Sequence, residues 1–260
     1  MKVVFWNSKS WDAQKAEKIA YVTQTEGADV VCILDARIDK TRLRYIKNYE
    51  KIIEDKTGKK WRGYSALKSK AKKCRAGGTL IFVSDMCTRV KVFPLIEFGV
   101  ATRLSCQWKG EEVQITAVYR PCENGAEGSL RTAAMSIVKG NLDDVIWGRI
   151  LSSTGGGAAM VGGDFNLNEV KIDERLRRSG DEHMRCKLEG GGKTFRKINE
   201  KEGSISSRVI DHVLLKGVEG HVKVTEEGLF INDHNRKNND RENQYWTTTL
   251  TPAAADNNQP

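Results

Sequence analysis

The chain has 260 residues, of which 39% are hydrophobic and 30% are charged, and its mean hydropathy is -0.52. These values exclude a marginal mini-domain, a membrane-embedded protein and a disordered chain, and they favour one large folded domain or two small ones. With 43 Lys and Arg against 34 Asp and Glu, the net charge is +9 and the pI is near 9.2. This balance favours a polyanionic partner, either nucleic acid or an acidic membrane surface.

The sequence shows neither a membrane anchor nor a metal-binding cysteine pattern. No apolar run reaches the roughly 20 residues that a membrane-spanning helix needs, and the segment MKVVFWNSKSW turns polar too early for a secretory signal. The six cysteines form no CxxC pair and no Cys/His cluster, so reduced thiols are expected. We therefore predict a protein of the nucleus or cytoplasm with no membrane partner.

Hydrophobic patterning predicts alternating strands and helices along the chain. Apolar, β-branched runs predict strands at 3–6, 30–34, 79–83, 113–119, 158–161 and 209–215, and a last strand at about 245–250. Helical spacing of apolar residues occurs at 12–25 and 129–151. Because several neighbouring strands lack a helix between them, a mixed sheet is expected. From 235 onward the chain is polar and Asn-rich, so we assign 1–250 to the domain and 251–260 to a polar tail or linker.

The segment VGGDFNLN carries the first candidate chemistry. An apolar strand ends and presents Asp164 and Asn166, two residues apart. At that spacing both side chains project to one side, where they can reach a single phosphate or its attacking water. Asp and Asn after a strand are also common turn formers, so the motif alone leaves both interpretations open.

A second acidic motif lies further along the chain, in SRVIDHVLL and in GLFINDH. Asp211 falls in the middle of an apolar run, where an ionised carboxylate is costly unless it is paired or functional. His234 has two candidate acids, Asp211 and Asp233. A carboxylate that holds an imidazole fixes its tautomer and stabilises the imidazolium, which suits the activation of water.

Two further polar residues end predicted strands near the N-terminus. Asn7 ends the first strand and Asp35 ends ADVVCIL. Oxygen ligands without soft donors nearby suit a hard cation such as Mg²⁺. Tyr119, at the end of VQITAVY, adds a phenol that can donate to a phosphate oxygen.

Taken in order, these motifs resemble the endonuclease/exonuclease/phosphatase superfamily. The order is WN at 6, an acidic residue at 35, GG at 77, Y-x-P at 119, GDFN at 163, SRxxD at 207 and DH at 233. Within the superfamily the chain is most similar to the abasic-site (AP) endonuclease branch, and especially to the endonuclease domains of non-LTR (LINE-type) retrotransposons. The cues are Thr194-Phe195 and the segment ADVVCILDAR. The resemblance implies a DNase I-like, four-layered α/β sandwich, with two mixed β-sheets packed face to face and flanked by helices.

The resemblance also implies a metal site and a group that positions the substrate. Asp35 would bind Mg²⁺, with Mn²⁺ as the alternative ion, assisted by Asn7 and by Asp233 as a further ligand. Asp164 and Asn166 would orient the attacking water and hold the scissile phosphate.

A base and a set of DNA contacts complete the implied site. His234, oriented by Asp211, would stabilise charge on the phosphate or act as the general base, and Tyr119 would assist at the phosphate. Thr194 and Arg208 would contact DNA.

Three departures from the family pattern bear on activity. The family's metal-binding glutamate is Asp35 here, one methylene shorter. The family's Ser-Asp-His motif reads Asn232-Asp233-His234 and is followed by the polar run NRKNNDRENQ. Cys122 stands where an Asn is expected after Y-x-P. These changes favour lowered or altered activity.

A basic segment at 56–75 is the candidate nucleic-acid contact. Nine cations in one stretch would attract phosphates and give salt-dependent binding, and Trp61 or Tyr64 could stack on an unpaired base. A solvated loop is the alternative. The cations are Lys56, Lys59, Lys60, Arg62, Lys68, Lys70, Lys72, Lys73 and Arg75.

The leading hypothesis is a Mg²⁺-dependent endonuclease that nicks DNA to leave a 3′-hydroxyl. It would serve a retrotransposon protein whose covalently linked reverse transcriptase lies outside this chain. The alternatives are an abasic-site repair nuclease, a phosphatase or phospholipid hydrolase of the same superfamily, and a catalytically weakened nucleic-acid-binding module. The sequence predicts no oligomeric state.

Overall fold

The structure is a computed structural model that describes a large part of the chain. The described residues are 1–68, 76–122, 129–152, 158–180, 182–186, 188–189, 195–199, 204–208, 210–226 and 244–252. Within these ranges the strands form two mixed sheets and a separate hairpin.

Sheet A has seven strands, and the first strand of the chain lies at its centre. This strand, β1, is parallel to β2, with Val3 opposite Val30, and antiparallel to β15, with Phe5 opposite Trp246. Across sheet A the strands lie in the order β10-β14-β15-β1-β2-β4-β3. The bounds are β1 Lys2–Asn7, β2 Val30–Leu34, β3 Trp61–Ala66, β4 Thr79–Ser84, β10 Leu188–Glu189, β14 Val218–Glu226 and β15 Gln244–Pro252.

Sheet B has six strands in the order β5-β6-β7-β8-β13-β9. The bounds are β5 Cys87–Ile96, β6 Ala101–Trp108, β7 Glu111–Tyr119, β8 Ala158–Asp164, β9 Met184–Arg185 and β13 Asp211–Lys216. The remaining strands, β11 (Phe195–Asn199) and β12 (Ser204–Arg208), pair with each other.

Helices cover the outer face of each sheet, and the inner faces meet in a common core. Next to sheet A pack α1 (Ala13–Glu26) and α2 (Ile46–Thr57). A 3-10 helix (Lys40–Tyr45) without buried residues precedes α2. Next to sheet B pack α3 (Leu130–Met135), α4 (Leu142–Leu151) and α5 (Glu169–Ser179). The inner core joins Val3 and Phe5 of sheet A to Ile115 and Met160 of sheet B. The four-layered α/β sandwich is therefore confirmed.

Local capping explains where the helices begin and end. Asp12 accepts a hydrogen bond from Lys15 N and starts α1, which ends at Gly27 in a left-handed conformation. The single helix predicted at 129–151 was wrong. Asn141 caps a new helix there by accepting hydrogen bonds from Asp143 N and Asp144 N, so the segment forms α3 and α4.

The other elements agree with the patterning only in part. The strands predicted at 3–6, 30–34, 79–83, 113–119, 158–161, 209–215 and about 245–250 correspond to β1, β2, β4, β7, β8, β13 and β15, and the helix predicted at 12–25 corresponds to α1. The elements that were not predicted are the 3-10 helix, α2, α5, β3, β5, β6, β9, β10, β11, β12 and β14. In the part of the chain that the structure describes, no helix is long and apolar enough to cross a membrane. Five cysteines in that part are free thiols.

Candidate active site

Polar residues continue the inward-facing rows of both sheets beyond the inner core. Val3 and Phe5 of β1 belong to that core, and Asn7 follows them at the same period of two. Asp164 ends β8 in sheet B. The Asn7 amide Nδ2 donates a 2.9 Å hydrogen bond to Asp164 Oδ2, and both residues are buried. This bond joins the two sheets at one edge of the sandwich.

Strand register places two more predicted site residues beside Asp164. Tyr119 pairs with Asp164 across β7 and β8, and Asp211 pairs with Asp164 across β8 and β13. Paired residues on neighbouring strands point to the same face of a sheet. Asp211 is buried and Tyr119 half-buried. The sequence predicted Asp211 within a strand at 209–215. In the structure Asp211 is the first residue of β13, and the preceding strand, β12, ends at Arg208.

The turn after β8 holds the Asp164 carboxylate from its other side. Asn166 N donates to Asp164 Oδ1 at 3.0 Å, and the Asn166 amide Nδ2 donates to the backbone oxygen of Arg120 at 2.6 Å. Asp164 and Asn166 therefore do form a turn after the strand. To bind Asn166 Nδ2, a phosphate would have to displace the backbone oxygen of Arg120. Gly163 precedes Asp164 with φ of 138°, and a Cβ there would lie 2.1 Å from Val118 O. Only glycine can bring the chain to Asp164 this way.

Asp35 lies fully buried in a loop clamped by two glycines. Its Oδ1 accepts a 2.6 Å hydrogen bond from Gly77 N, and its Oδ2 accepts from Arg37 Nε at 3.2 Å and Nη2 at 3.0 Å. The backbone adds Ala36 N to Gly78 O and Arg37 N to Gly77 O, both 2.9 Å. Gly77 itself has φ of 96°. The GG motif thus fixes the position of the Asp35 carboxylate.

Two opposing effects act on the pKa of Asp35. Burial raises its pKa above the ordinary aspartate value, and the negative charge of Asp164 acts in the same direction. The Arg37 guanidinium and the Gly77 N–H lower it, but the net shift is upward. The negative charge of Asp164 therefore opposes ionisation of Asp35, and a cation nearby would favour the ionised form of both carboxylates.

The donors at this edge fit a hard divalent cation. They are two carboxylates, Asp35 and Asp164, and the amide of Asn7, whose buried Oδ1 accepts no hydrogen bond within the described residues. In those same residues no three His, Cys, Asp or Glu side chains converge. A cation here would therefore keep most of its water, as Mg²⁺ does.

Some predicted site residues lie outside the described residues. The side chain of Arg208, in β12, is also outside them. The others are Lys70, Lys72, Lys73, Arg75, Thr194, Asp233 and His234.

The described part of the basic segment corrects one expectation. Trp61 is 2% exposed in the core between sheet A and its helices, and its Nε1 donates to Thr57 Oγ1 at 2.9 Å. It therefore cannot stack on a base. Tyr64 is half-buried against the inner core, and Lys59 lies 3.7 Å from Asp29.

Arg120 supports the site in a way that the sequence prediction missed. It is 1% exposed, and its guanidinium reaches Asp143 at 2.9 Å and the backbone oxygen of Phe165 at 3.4 Å. Its backbone accepts from Asn166 and donates to Asp164 O at 2.8 Å. A charged residue directly after an apolar strand was the available signal.

His212 is a core residue. Its Nε2 lies 2.9 Å from Leu167 O, and its ring meets Phe165 edge to face. Burial lowers the pKa of His212 to about 4, so the ring is neutral at neutral pH.

Replacing Arg120 with methionine is expected to lower the free energy of unfolding by about 3 kcal/mol, since it leaves the half-buried Asp143 with one partner fewer. Burial alone would raise the pKa of Asp143, but Arg131 and Arg120 bring it below the ordinary value. The pair therefore stabilises the fold above the unfolded pKa of about 3.9 and loses this effect as pH falls through the folded pKa.

Urea unfolding at neutral pH and near pH 3 measures this effect. Arg131→Met is the control, because Arg131 also contacts Asp143 but its side chain is 20% exposed, and a loss of about 1 kcal/mol or less is expected. Equal losses in the two variants would contradict a special role for Arg120.

Comparison with known proteins gives structural matches without sequence matches. No protein-family model matches the sequence, and no curated protein matches it. The structure is similar to an endonuclease/exonuclease/phosphatase family protein from Leptotrichia buccalis C-1013-b, with a TM-score of 0.65, 11% identity and coverage of 96% of this chain and 99% of that chain.

Two further solved structures are also similar. TDP2 from D. rerio, complexed with a single-strand DNA product, has a TM-score of 0.63 and 12% identity, over 96% of this chain and 98% of that one. A mannosyl-6-phosphatase from Bacteroides thetaiotaomicron VPI-5482 has a TM-score of 0.57 and 12% identity, over 96% and 99%. The chain thus has the DNase I-like fold of the endonuclease/exonuclease/phosphatase proteins.

Proposed function

We propose that this protein is a metal-dependent phosphoesterase that hydrolyses DNA phosphodiester bonds and leaves a 3′-hydroxyl. One observation carries the proposal. The two sheets bring Asn7, Asp35, Asp164 and Asp211 to a single edge, where Asp164 bonds directly to Asn7. Buried carboxylates held by fixed donors are costly to assemble, and such groups concentrate at functional sites.

Each side chain has a role that its contacts favour. Asp164 is held at both oxygens, by Asn7 and by Asn166 N, so its carboxylate has a fixed orientation, from which it would orient an attacking water. Tyr119 lies beside it and can donate to a phosphate oxygen. Asp35 and Asn7 would hold Mg²⁺ or Mn²⁺, which when bound stabilises negative charge on the phosphate. Asp233 and His234 are assigned from the sequence motif, with Asp211 orienting His234.

DNA is the proposed substrate because of charge and structural likeness. The chain carries a net charge of +9, which favours a polyanion over a neutral substrate. The similar TDP2 structure is described as complexed with a single-strand DNA product. We assign the protein to the retrotransposon type on the sequence motifs, with a reverse transcriptase linked outside this chain. Abasic-site repair is the alternative.

Cleavage assays with three substrates separate these functions. The protein is incubated with supercoiled plasmid, with a duplex that contains one abasic site, and with a sugar phosphate, each in Mg²⁺ and in EDTA. Nicking of plain plasmid in Mg²⁺ supports the retrotransposon type. Cleavage of the abasic duplex alone supports repair, and release of phosphate from the sugar alone supports a phosphatase.

Two variants make this assay specific to the site. His234→Ala should abolish cleavage, whereas Asp144→Asn, at a half-exposed ion pair with Arg175 on the helical layer, should leave it unchanged. Tight DNA binding by the parent without any cleavage would contradict the proposed enzyme and support a nucleic-acid-binding module.

Neutralising Lys70, Lys72 and Lys73 together is expected to weaken binding of all DNA sequences alike. Each lost phosphate contact should flatten the slope of log affinity against log salt by about 0.7 to 0.9. Fluorescence anisotropy with uncut DNA in EDTA, between 50 and 200 mM salt as roughly the useful range, measures this slope. Neutralising Lys47, Lys51 and Lys171 provides a control of equal charge on α2 and α5. Equal slopes for the two triple variants would identify the segment as a solvated loop.

A further inference from the structure

Arg37 places a positive charge on Asp35 of the candidate site, and the resemblance assigns Arg37 no role. Its guanidinium contacts Asp35 Oδ2 through both Nε and Nη2. The Asp35 side chain is 1% exposed and that of Arg37 is 36% exposed. The carboxylate is therefore closed off from solvent, while the cation that covers it stays in contact with water.

The backbone conformation of the loop brings Asp35 and Arg37 together. Both residues have positive φ, 49° for Asp35 and 54° for Arg37, a conformation that costs free energy in residues other than glycine. The Gly77 and Gly78 carbonyls hold the loop by accepting from Arg37 N and Ala36 N. The positive φ values and these two hydrogen bonds therefore fix the loop that carries both side chains.

A divalent ion at Asp35 would meet the guanidinium. Oδ1 accepts one hydrogen bond from Gly77 N and Oδ2 accepts two from Arg37, so an ion at this carboxylate would lie close to the guanidinium. Two cations at one carboxylate oxygen repel each other, and the repulsion is strong where burial limits screening by water.

We propose that Arg37 is a resident counter-cation of Asp35, which neutralises the buried carboxylate in the metal-free protein and competes with a divalent ion for that carboxylate. This inference rests on the proposed function, because it takes Asp35 as a metal ligand. Arg37 acts through Asp35 and is therefore a positioning residue. Its presence weakens metal binding and makes the fold independent of metal.

Mn²⁺ binding to the protein without DNA tests the proposal, by electron paramagnetic resonance titration of the free ion. Arg37→Gln should bind Mn²⁺ about five- to tenfold more tightly than the parent, the effect of removing one partly exposed charge pair. Arg37→Lys, which keeps the charge but loses the two-point contact, should fall between them. Arg175→Ala is the matched control, since Arg175 is also 36% exposed and ion-paired with an aspartate, and its affinity should equal the parent's.

Thermal unfolding provides the second readout. Arg37→Gln should melt below the parent in EDTA and gain more from added Mn²⁺, because only the ion then neutralises Asp35. Arg175→Ala should show the parent's response to Mn²⁺.

Asp35→Asn separates the failure of this inference from the failure of the proposed function. If Asp35→Asn loses Mn²⁺ binding while Arg37→Gln binds as the parent does or more weakly, the competition is refuted and the metal site stands. If Asp35→Asn binds Mn²⁺ as the parent does, Asp35 is not a ligand, and the inference fails together with the assignment of the metal to Asp35. Loss of DNA affinity in EDTA by Arg37→Gln, with unchanged Mn²⁺ affinity, would make Arg37 a phosphate contact and overturn the inference.

Discussion

Asp164→Asn is expected to lower the rate of DNA cleavage by roughly three orders of magnitude, the loss typical of a group that directs proton transfer. In the parent both carboxylate oxygens accept, one from Asn7 Nδ2 and the other from Asn166 N. An asparagine amide offers only one oxygen, so its NH₂ group would face one of these donors. The negative charge and the geometry are lost together. Single-turnover cleavage of a labelled duplex at saturating Mg²⁺ measures the loss.

The same substitution at Asp173 is the control. Asp173, on α5, forms an ion pair with Arg185 of β9 at 2.8 Å, and the Asp173 side chain is 44% exposed. Asp173→Asn should cleave at the parent rate, and binding of uncut DNA should persist in both variants. A folded Asp164→Asn protein that cleaves as fast as the parent would remove Asp164 from the reaction.

Asp35→Asn is expected to reduce cleavage about 100-fold or more at limiting Mg²⁺, because it removes the anionic ligand while keeping the side-chain shape. The asparagine can still accept from Gly77 N, but its NH₂ group would then face the Arg37 guanidinium. Folding of the variant is therefore checked first by thermal unfolding. A Mg²⁺ titration of the initial rate shows whether the loss lies in metal affinity, in which case high Mg²⁺ restores part of the rate.

Mn²⁺ gives an independent arm of this experiment. Asp35 is shorter than the glutamate that the resemblance predicts at this position. The cleavage rate of the parent should therefore depend on which ion is supplied, with Mn²⁺ supporting a rate at least equal to that with Mg²⁺. If Asp35→Asn matches the parent at limiting metal, another set such as Asp211 with Asp233 must hold the ion.

The strands that build the site could be predicted from the sequence because each ends in a polar residue after an apolar run. Asn7, Asp35, Tyr119 and Asp164 were identified in this way, and the structure places them at the end of a strand or directly after one. Strand period and burial of the preceding residues fix which face such a residue occupies. The layered architecture followed from the motif resemblance, and not from the patterning itself.

Tertiary contacts account for what the sequence could not predict. In a chain of net charge +9 the sequence does not show which arginine pairs with which carboxylate. Only the folded structure shows Arg37 on Asp35 and Arg120 on Asp143. Trp61 looked exposed because lysines surround it, but α2 packs over it. Asp211 seemed to lie within a strand because the two residues before it, Val209 and Ile210, are apolar and neither is a glycine or a proline.

The central position of β1 in sheet A affects the order of events during synthesis of the chain. β1 takes one neighbour, β2, from the next residues to be made, but its other neighbour, β15, is formed by residues 244–252. Translation adds about 5 to 20 residues per second, so β1 waits on the order of ten seconds or more for that partner. Asp164 and Asp211 also come from the later part of the chain. A nascent chain on the ribosome therefore has an open sheet edge beside β1, and the residues of the candidate site cannot all come together until the later strands have been made.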